Sequence, residues 1–544
     1  GAITLTATQP LFRSSHVGAL WRITSQGQRV KDLLVADLSY TNAIRVTGVG
    51  ADRRFTITIS GTWTGTLRLQ RSIGDVGAWV TVNTYTANGT ANYADGLDNT
   101  VAYYRIGFDS GDYGTGAADT SLEFSAGSII GVVRITGYTS ATSVSAVVLK
   151  DLGDNDATTI WAEGAWSDWQ GWPSAVEISQ GRLWWFGNGR AFGSISDAYS
   201  SFDPDHEGDA APINRTVSDA AGFDVNWAMA IERLFVGTSA MVQVVRSSSL
   251  DEPITPSNYN VKTATGKGAA ALMPAISGRI GYFVGGDTIS LYELRPDQTG
   301  IDYAATKMNI LVPEVSGAGI VKIAAQEEPD FRLYCVLTDG TVALLVRDDA
   351  ENVVCWVPLE TDGVIEDVCV LPAVIEDRVF FRVRRTIGGV DVRYHEELAR
   401  IDECAGGALS LLADSSITGT GVVSGLSHLE GKTVVVWADG ADQGAHAVVA
   451  GALPTLTGSF TTWCAGLGYQ ARYRSAKMIG QTGMGVSLTQ RTRINKIGLL
   501  LADTHAQGLQ FGPDFATLDD LPLVEDGADV TSGTVWQAYD QDMI

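Results

Sequence analysis

Asp203-Pro-Asp-His-Glu-Gly-Asp209 is the densest run of metal-ligating side chains in the sequence. Asp203, Asp205, Glu207 and Gly208 fall at the first, third, fifth and sixth positions of a calcium loop, where alternating carboxylates converge on a hard cation and a glycine permits the sharp turn. The twelfth position holds Asn214, where such a loop needs a bidentate Glu, and no helical pattern flanks the run. A solvated turn is the simpler reading. Ala264-Thr-Gly-Lys-Gly268 has the outline of a phosphate loop, but Val261 stands where its first Gly belongs and Gly268 where the hydroxyl after the Lys belongs. His395-Glu-Glu397 lacks the second His that would complete a zinc site on one helix face. His428, within Ser427-His-Leu-Glu430, has a hydroxyl and a carboxylate nearby, yet adjacent residues on a strand point to opposite faces. A histidine holding a turn is expected there.

Two chemistries do not depend on local spacing. Paired carboxylates for glycoside cleavage converge in space, and with 62 Asp and Glu a neighbouring pair proves nothing. Trp161, Trp166, Trp169, Trp172, Trp184 and Trp185 put six indoles into 25 residues, a density suited to stacking on sugars or to packing between elements. No catalytic, cofactor-binding or metal-ligating residue is assigned, and no enzymatic activity is expected.

The elements around these residues read as strands. From Trp166 to Ile401, short β-branched or aromatic runs alternate with Gly, Asp or Pro. Examples are Arg233–Gly237, Ile280–Gly285, Leu333–Leu337, Val342–Val346, Val353–Val357 and Val379–Val383. Recurrence of such runs at even spacing predicts antiparallel blades or a large barrel. One helix is predicted, over Ile301–Leu311, where apolar residues recur at helical spacing before Pro313.

The chain divides by pattern into five parts. Residues 1–47 and 128–165 are expected to pair as one discontinuous small β domain. Between them, residues 48–127 form an inserted β-sandwich, with Phe55, Ile57 and Ile59 alternating against threonines, a turn at Gly61–Gly65, and further strands at Leu67–Leu69, Trp79–Val82 and Tyr103–Phe108. Residues 166–412 form the propeller-like platform and 413–475 another small β domain around Thr433–Trp437. Residues 476–544 supply return strands, including Arg491–Leu501, and an acidic C-terminal segment. The fold class is mostly β and multi-domain.

With 38 Lys and Arg against 62 Asp and Glu, the net charge is −24 and the pI is near 4.6, which argues against coating nucleic acid through a basic surface. Cys335, Cys355, Cys369, Cys404 and Cys464 have no Cys-x-x-Cys spacing and sit mostly in apolar runs, so buried free thiols are expected. No apolar run approaches the length of a membrane helix, and no membrane insertion is expected. The chain begins at Gly1 without Met and ends at Asp540-Gln-Asp-Met-Ile544, as a fragment or a processed product would.

Four segments in their order resemble the nozzle, or tail tubular, proteins of short-tailed, podovirus-type bacteriophages. They are His16-Val-Gly-Ala-Leu-Trp21 with its return at Gly131–Tyr138; Gly171-Trp-Pro173, Gly181-Arg-Leu-Trp184 and Ser201-Phe-Asp-Pro204; Gln326-Glu-Glu-Pro329 through Asp339-Gly340 to Trp356 and Gly363-Val-Ile-Glu366; and Gly425–Val434 with Asp439-Gly440 and Gly466-Leu-Gly-Tyr469. The resemblance spans most of the chain and departs at both ends, where that family carries a further N-terminal segment and a longer C-terminal strand. It implies a virion structural protein in the viral tail: a homo-oligomeric, hexameric ring below the portal-proximal tail adaptor, contacting tail fibres or tailspikes, through whose channel viral DNA passes without specific binding at genome ejection. No cofactor and no catalytic residue come with it. The competing expectation is a carbohydrate-binding or glycoside-cleaving β-propeller protein.

Overall fold

A computed structural model describes residues 1–25, 27–125, 129–153, 157–204, 206–217, 224–247, 252–297, 302–400, 413–475, 481–482, 485–486, 496–501, 509–520 and 537–542. Strands hold 57% of residues and helices 3%, so two-residue alternation governs the cores. Among the described residues, helical turns are short 3-10 segments at 14–16, 50–53, 313–316 and 427–429. Among the described residues no helix is long and apolar enough to cross a membrane. The chain forms two compact units, residues 1–310 and 311–544.

Unit one opens with β1 (Ala2–Thr6), β2 (Leu20–Ser25), β3 (Gln28–Leu34), β4 (Ile44–Val46), β5 (Phe55–Ile73), β6 (Val80–Tyr85), β7 (Gly89–Tyr93), β8 (Ala102–Phe124), β9 (Ile129–Ser140), β10 (Ser143–Lys150) and β11 (Trp161–Glu163). A five-stranded antiparallel sheet runs β1-β10-β9-β2-β11, so β1 and β2 pair with strands from residues 129–163. Phe12, Trp21, Val133, Ile135 and Val144 form its core.

Between β2 and β9 the chain makes a second sheet from β3 to β8. This sheet starts at Gln28, upstream of the boundary expected at residue 48. Only Leu34 among the apolar residues of β3 is fully buried, so local alternation is weak and the ladder to β8, Gln28↔Phe124 to Leu34↔Ala118, fixes the strand. The turn expected at Gly61–Gly65 is also absent. There β5 stays paired to β8 and bends, with register shifts between Thr64 and Leu67. Gly61 (φ 103°) and Gly65 (φ 138°) make the bend; a Cβ on them would lie 2.4 Å from the Ala117 carbonyl oxygen and 2.3 Å from that of Asp112. Both halves of the bent pair supply one core: Phe55, Ile57 and Ile59 before the bend, Leu67 and Leu69 after it.

Three four-stranded antiparallel meanders follow. They are β12–β15 (Ala175–Ser179, Arg182–Gly187, Arg190–Gly193, Ile213–Thr216), β16–β19 (Val225–Ala230, Leu234–Thr238, Val242–Arg246, Asn260–Thr265) and β20–β23 (Ala275–Ser277, Ile280–Val284, Leu291–Pro296, Tyr303–Lys307). Successive meanders share cores. Trp184 and Phe186 pack with Leu234 and Val236, and Trp227, Met229 and Phe235 pack with Phe283, Leu294 and Tyr303. The helix expected over 301–311 is instead strand β23, paired with β22 from Tyr292↔Lys307 to Pro296↔Tyr303. Tyr303 is buried, Ala304 exposed, Ala305 half-buried and Thr306 exposed, a two-residue period that a short Ala-containing window does not distinguish from a helical one. Ile301 lies outside the described residues.

Unit two begins with β24–β27 (Ile320–Gln326, Arg332–Leu337, Val342–Asp348, Val353–Leu359) and the three-stranded β28–β30 (Val364–Leu371, Arg378–Ile387, Val390–Glu397). These two sheets share a core of Tyr334, Val336, Ile365, Phe381 and Val383. A four-stranded sheet follows from β31–β34 (Asp414–Gly421, Thr433–Ala438, Ala441–Ala447, Phe460–Leu467) around Val434, Val436, Trp463 and Ala465. The remaining strands form two-stranded pairs: β35 (Gln481–Thr482) with β36 (Gly485–Val486), β37 (Lys496–Leu501) with β40 (Gln537–Asp542), and β38 (Gln510–Asp514) with β39 (Thr517–Asp520). Residues 491–495 of the strand expected at 491–501 lie outside the described residues.

The thiols divide. Cys335 and Cys464 are buried, but Cys355 and Cys369 are exposed, against expectation. Both exposed thiols lie on outer strands: β27 ends its sheet and exposes side chains on both faces, while Cys369 on β28 alternates with buried Val368. Cys404 lies outside the described residues.

Candidate functional site

The residues singled out for metal, phosphate or nucleophile chemistry do not converge. Asp203 pairs with Arg45 at 3.4 Å, the Asn99 amide exchanges hydrogen bonds with the Glu207 main chain, and Asn214 Oδ1 accepts from Arg190 Nε at 2.9 Å. Asp205 lies outside the described residues. The acidic run thus meets the inserted sheet through Arg45 and Asn99. Among the described residues no group of three His, Cys, Asp or Glu could hold a metal ion. At Gly268 a Cβ would lie 2.1 Å from the Ser239 carbonyl oxygen, so this segment packs on main chain. His395 is exposed on β30, opposite Arg382. His428 Nε2 lies 2.9 Å from the Ser415 carbonyl oxygen on β31, and its ring meets Tyr394 at 6.1 Å.

Arg182, after the Gly181 turn, is the anchor of the first meander. Its side chain is buried, and the guanidinium donates to the carbonyl oxygens of Ser194 (2.5 Å), Ala211 (2.7 Å), Asp209 (2.7 Å) and Ala210 (3.3 Å). One side chain therefore fixes both ends of the segment carrying the acidic run. Burial pulls the Arg182 pKa below its ordinary value, and fixed carbonyl dipoles take the place of water around its charge.

Unit two has a counterpart in Arg385 on β29. Its guanidinium forks onto Glu396 (2.7 Å twice), donates to the Asp362 carbonyl oxygen (2.6 Å) and to Thr361 Oγ1 (2.8 Å), and lies 3.7 Å from Asp414. Burial disfavours its charge, but Glu396 and the other carboxylates outweigh that and raise the pKa. On the exposed side, Glu366 takes Arg393, Arg384 and Arg382, and the Arg393 hydrogen bond leads the set that holds its carboxyl below the usual range. A cleft of about 180 Å³ is lined by Asp362, Arg384 and Arg385 on one side and His428, Glu430 and Lys432 on the other. Lys432 pairs with Asp362 at 2.7 Å, and the Glu430 carboxylate accepts the Ala450 and Gly451 N–H groups at 2.8 Å each.

The third constellation is aromatic. Trp21 on β2 stacks on Trp161 of β11 with centroids 5.1 Å apart and planes at 25°. His16 meets Trp21 edge-on at 5.5 Å and Trp169 at 6.5 Å, and the Arg13 guanidinium lies 3.7 Å above the Trp169 ring. His16 Nδ1 accepts the Arg13 N–H at 3.2 Å, and Nε2 faces Glu163 at 3.6 Å. Of the six indoles, Trp161, Trp169 and Trp172 are exposed. Trp184 is fully buried, and Trp166 lies edge-on to Trp185 and Phe192.

Sequence reasoning passed over Arg182, Arg385 and the buried Arg53. For Arg182 the available signal was an Arg opening an otherwise apolar strand, Gly181-Arg-Leu-Trp-Trp-Phe186, whereas Arg53 lies in a 3-10 turn and Arg385 in an Arg-rich strand. Strand β2, into which the His16–Trp21 run leads, pairs with β9, and Trp161 and Trp169 pack against Trp21 and His16, a contact that sequence reasoning did not anticipate. No protein-family model matches this chain, and no curated protein matches it.

Proposed function

We propose that the chain is a structural subunit of a short bacteriophage tail. Six copies would form the distal ring, or nozzle, through which the genome leaves the particle. The observation that carries this reading is the succession of antiparallel meanders β12–β30, packed face to face within each unit and preceded by a sheet split around an inserted one. That order of elements is the one the sequence resemblance implies, and we read the meanders as a propeller-like platform. The Arg182 and Arg385 anchors hold loops in place, as scaffolding requires.

Two further features support assembly. Edge strand β27 exposes Val353 (39%), Val354 (54%) and Val357 (41%), and an apolar unpaired edge calls for a cover. A neighbouring copy in a closed ring supplies one. A net charge of −24 per copy, multiplied around a channel, repels phosphate and lets DNA slide without adhering. The remaining partners on this reading are the tail adaptor and the fibres or tailspikes.

The test is electron microscopy of the purified chain and of phage particles labelled with an antibody against it. Six-membered rings and label at the tail tip are expected. A monomer at high concentration together with unlabelled particles would overturn the reading.

A further inference from the structure

We propose that the stretch Trp161–Trp172 is a saccharide-binding platform, and that its ligand is a neutral pyranose chain. Trp161, Trp169 and Trp172 are 44%, 48% and 57% exposed within twelve residues. A lone exposed indole needs no explanation; three within twelve residues, each held by a named partner, do. Trp161 is stacked on Trp21 on one face and open on the other. The Arg13 guanidinium lies 3.7 Å over one face of Trp169, and His16 meets that ring edge-on at 6.5 Å. The Trp172 ring is pinned by its indole N–H, which donates to Asp168 Oδ1 at 2.9 Å.

The backbone carrying these rings is equally fixed. Ser167 and Gly171 exchange N–H···O bonds of 3.1 and 2.7 Å. The Glu163 carboxylate accepts the Ser167 hydroxyl at 3.1 Å and the Gln170 amide at 3.0 Å. The rings are therefore ordered before any ligand arrives, so stacking costs little further side-chain entropy. Flat apolar faces beside carboxylate and amide groups suit a pyranose, whose C–H face lies on the indole while its hydroxyls meet Asp168 and Gln170. This inference is separate from the ring assembly proposed above, since it needs only one copy of the chain.

The test uses the full chain and two soluble probes, cellohexaose and a galactomannan oligosaccharide, followed by calorimetry and tryptophan fluorescence. Wild-type protein should bind at least one probe. Trp172→Ala and Trp169→Ala should each weaken binding by about tenfold, the size expected for one aromatic stacking contact, with unchanged thermal unfolding. Asp168→Asn, which removes the charge pinning Trp172 and leaves every ring in place, should weaken binding less. Lack of binding by wild type to both probes would overturn the proposal, as would binding that all three variants retain. A Trp172→Ala variant that shifts the sedimentation of the free protein would also overturn it, by assigning the surface to contact between copies. Six-membered rings without saccharide binding would sink this inference alone, and saccharide binding by a protein absent from particles would sink the tail reading alone.

Discussion

Arg53 and Asp95 form a two-pronged ion pair, Nε to Oδ1 at 2.7 Å and Nη2 to Oδ2 at 2.8 Å, with both side chains fully buried inside the inserted sheet. Tyr104 and the Leu97 N–H also donate to Asp95, and Arg53 Nη1 reaches the Gly48 and Thr100 carbonyl oxygens. A buried pair gains little over an apolar replacement, but breaking it leaves an uncompensated charge. Asp95→Ala should cost about 3–5 kcal/mol, read as lost hydrogen-exchange protection in β5 and β8.

The same carboxylate sets a pH dependence. Burial pushes the Asp95 pKa up, but the Arg53, Leu97 and Tyr104 hydrogen bonds outweigh it and leave the group below its ordinary value. Its contribution is thus fully present above the unfolded carboxyl's pKa, near pH 4, and is lost as pH falls through the lower folded value. The stability gap between wild type and Asp95→Asn should be constant near neutrality and narrow in acid. Denaturant titrations at pH 7, 5 and 3 check this, and a gap that widens in acid would contradict the assignment.

Removing the Arg182 guanidinium orphans four carbonyl groups at once. Arg182→Met keeps the stem and should destabilise the first meander by about 3 kcal/mol or more, with exchange rising over residues 195–211. Arg182→Lys should recover only part of this, because an ammonium cannot fan across four acceptors as a planar fork does.

Gly237 has a steric reason to be glycine. A Cβ there would sit 2.2 Å from the Trp227 indole, which is itself only 2% exposed. Gly237→Ala should cost about 1–3 kcal/mol by overpacking. Adding Trp227→Phe should make the pair less damaging than the sum of the single changes, a coupling that a double-mutant cycle in thermal unfolding measures.

The Asp377 carboxylate accepts the N–H groups of Glu327, Glu328 and Ala373 at 2.9, 3.2 and 3.1 Å, fastening the hairpin end where Val374 is fully exposed and Ile375 is 71% exposed. Asp377→Ala should free that end at a cost of about 1–3 kcal/mol. Proteolysis within residues 371–377 should accelerate while the β29–β30 ladder keeps its protection.

These positions show what the sequence made legible. Strands such as Leu333–Leu337 and Val379–Val383 were plain because β-branched and aromatic residues run up to Gly, Asp or Pro. The misread elements depended on distant partners. β3 is held by β8 some ninety residues on, and the bend at Gly61–Gly65 looked like a turn because glycines mark both. β23 was taken for a helix since five residues of Tyr, Ala, Thr and Lys carry neither period strongly. The anchors were hidden for another reason: Arg182, Arg385 and Arg53 gain their meaning from carbonyl groups and carboxylates that only the fold gathers.

The ladder pairs Ser25↔Ile129 and Gln28↔Phe124 lie on either side of a seam only a few residues wide. Everything from β3 to β8 enters and leaves the host sheet through that one gap. A graft made this way has the geometry of a cutting on a rootstock: its two cut ends are neighbours, so lineages could exchange one cassette for another, or lose it, without redrawing the sheet beneath. Surface diversity could then evolve on the insert while the host sheet keeps its own register.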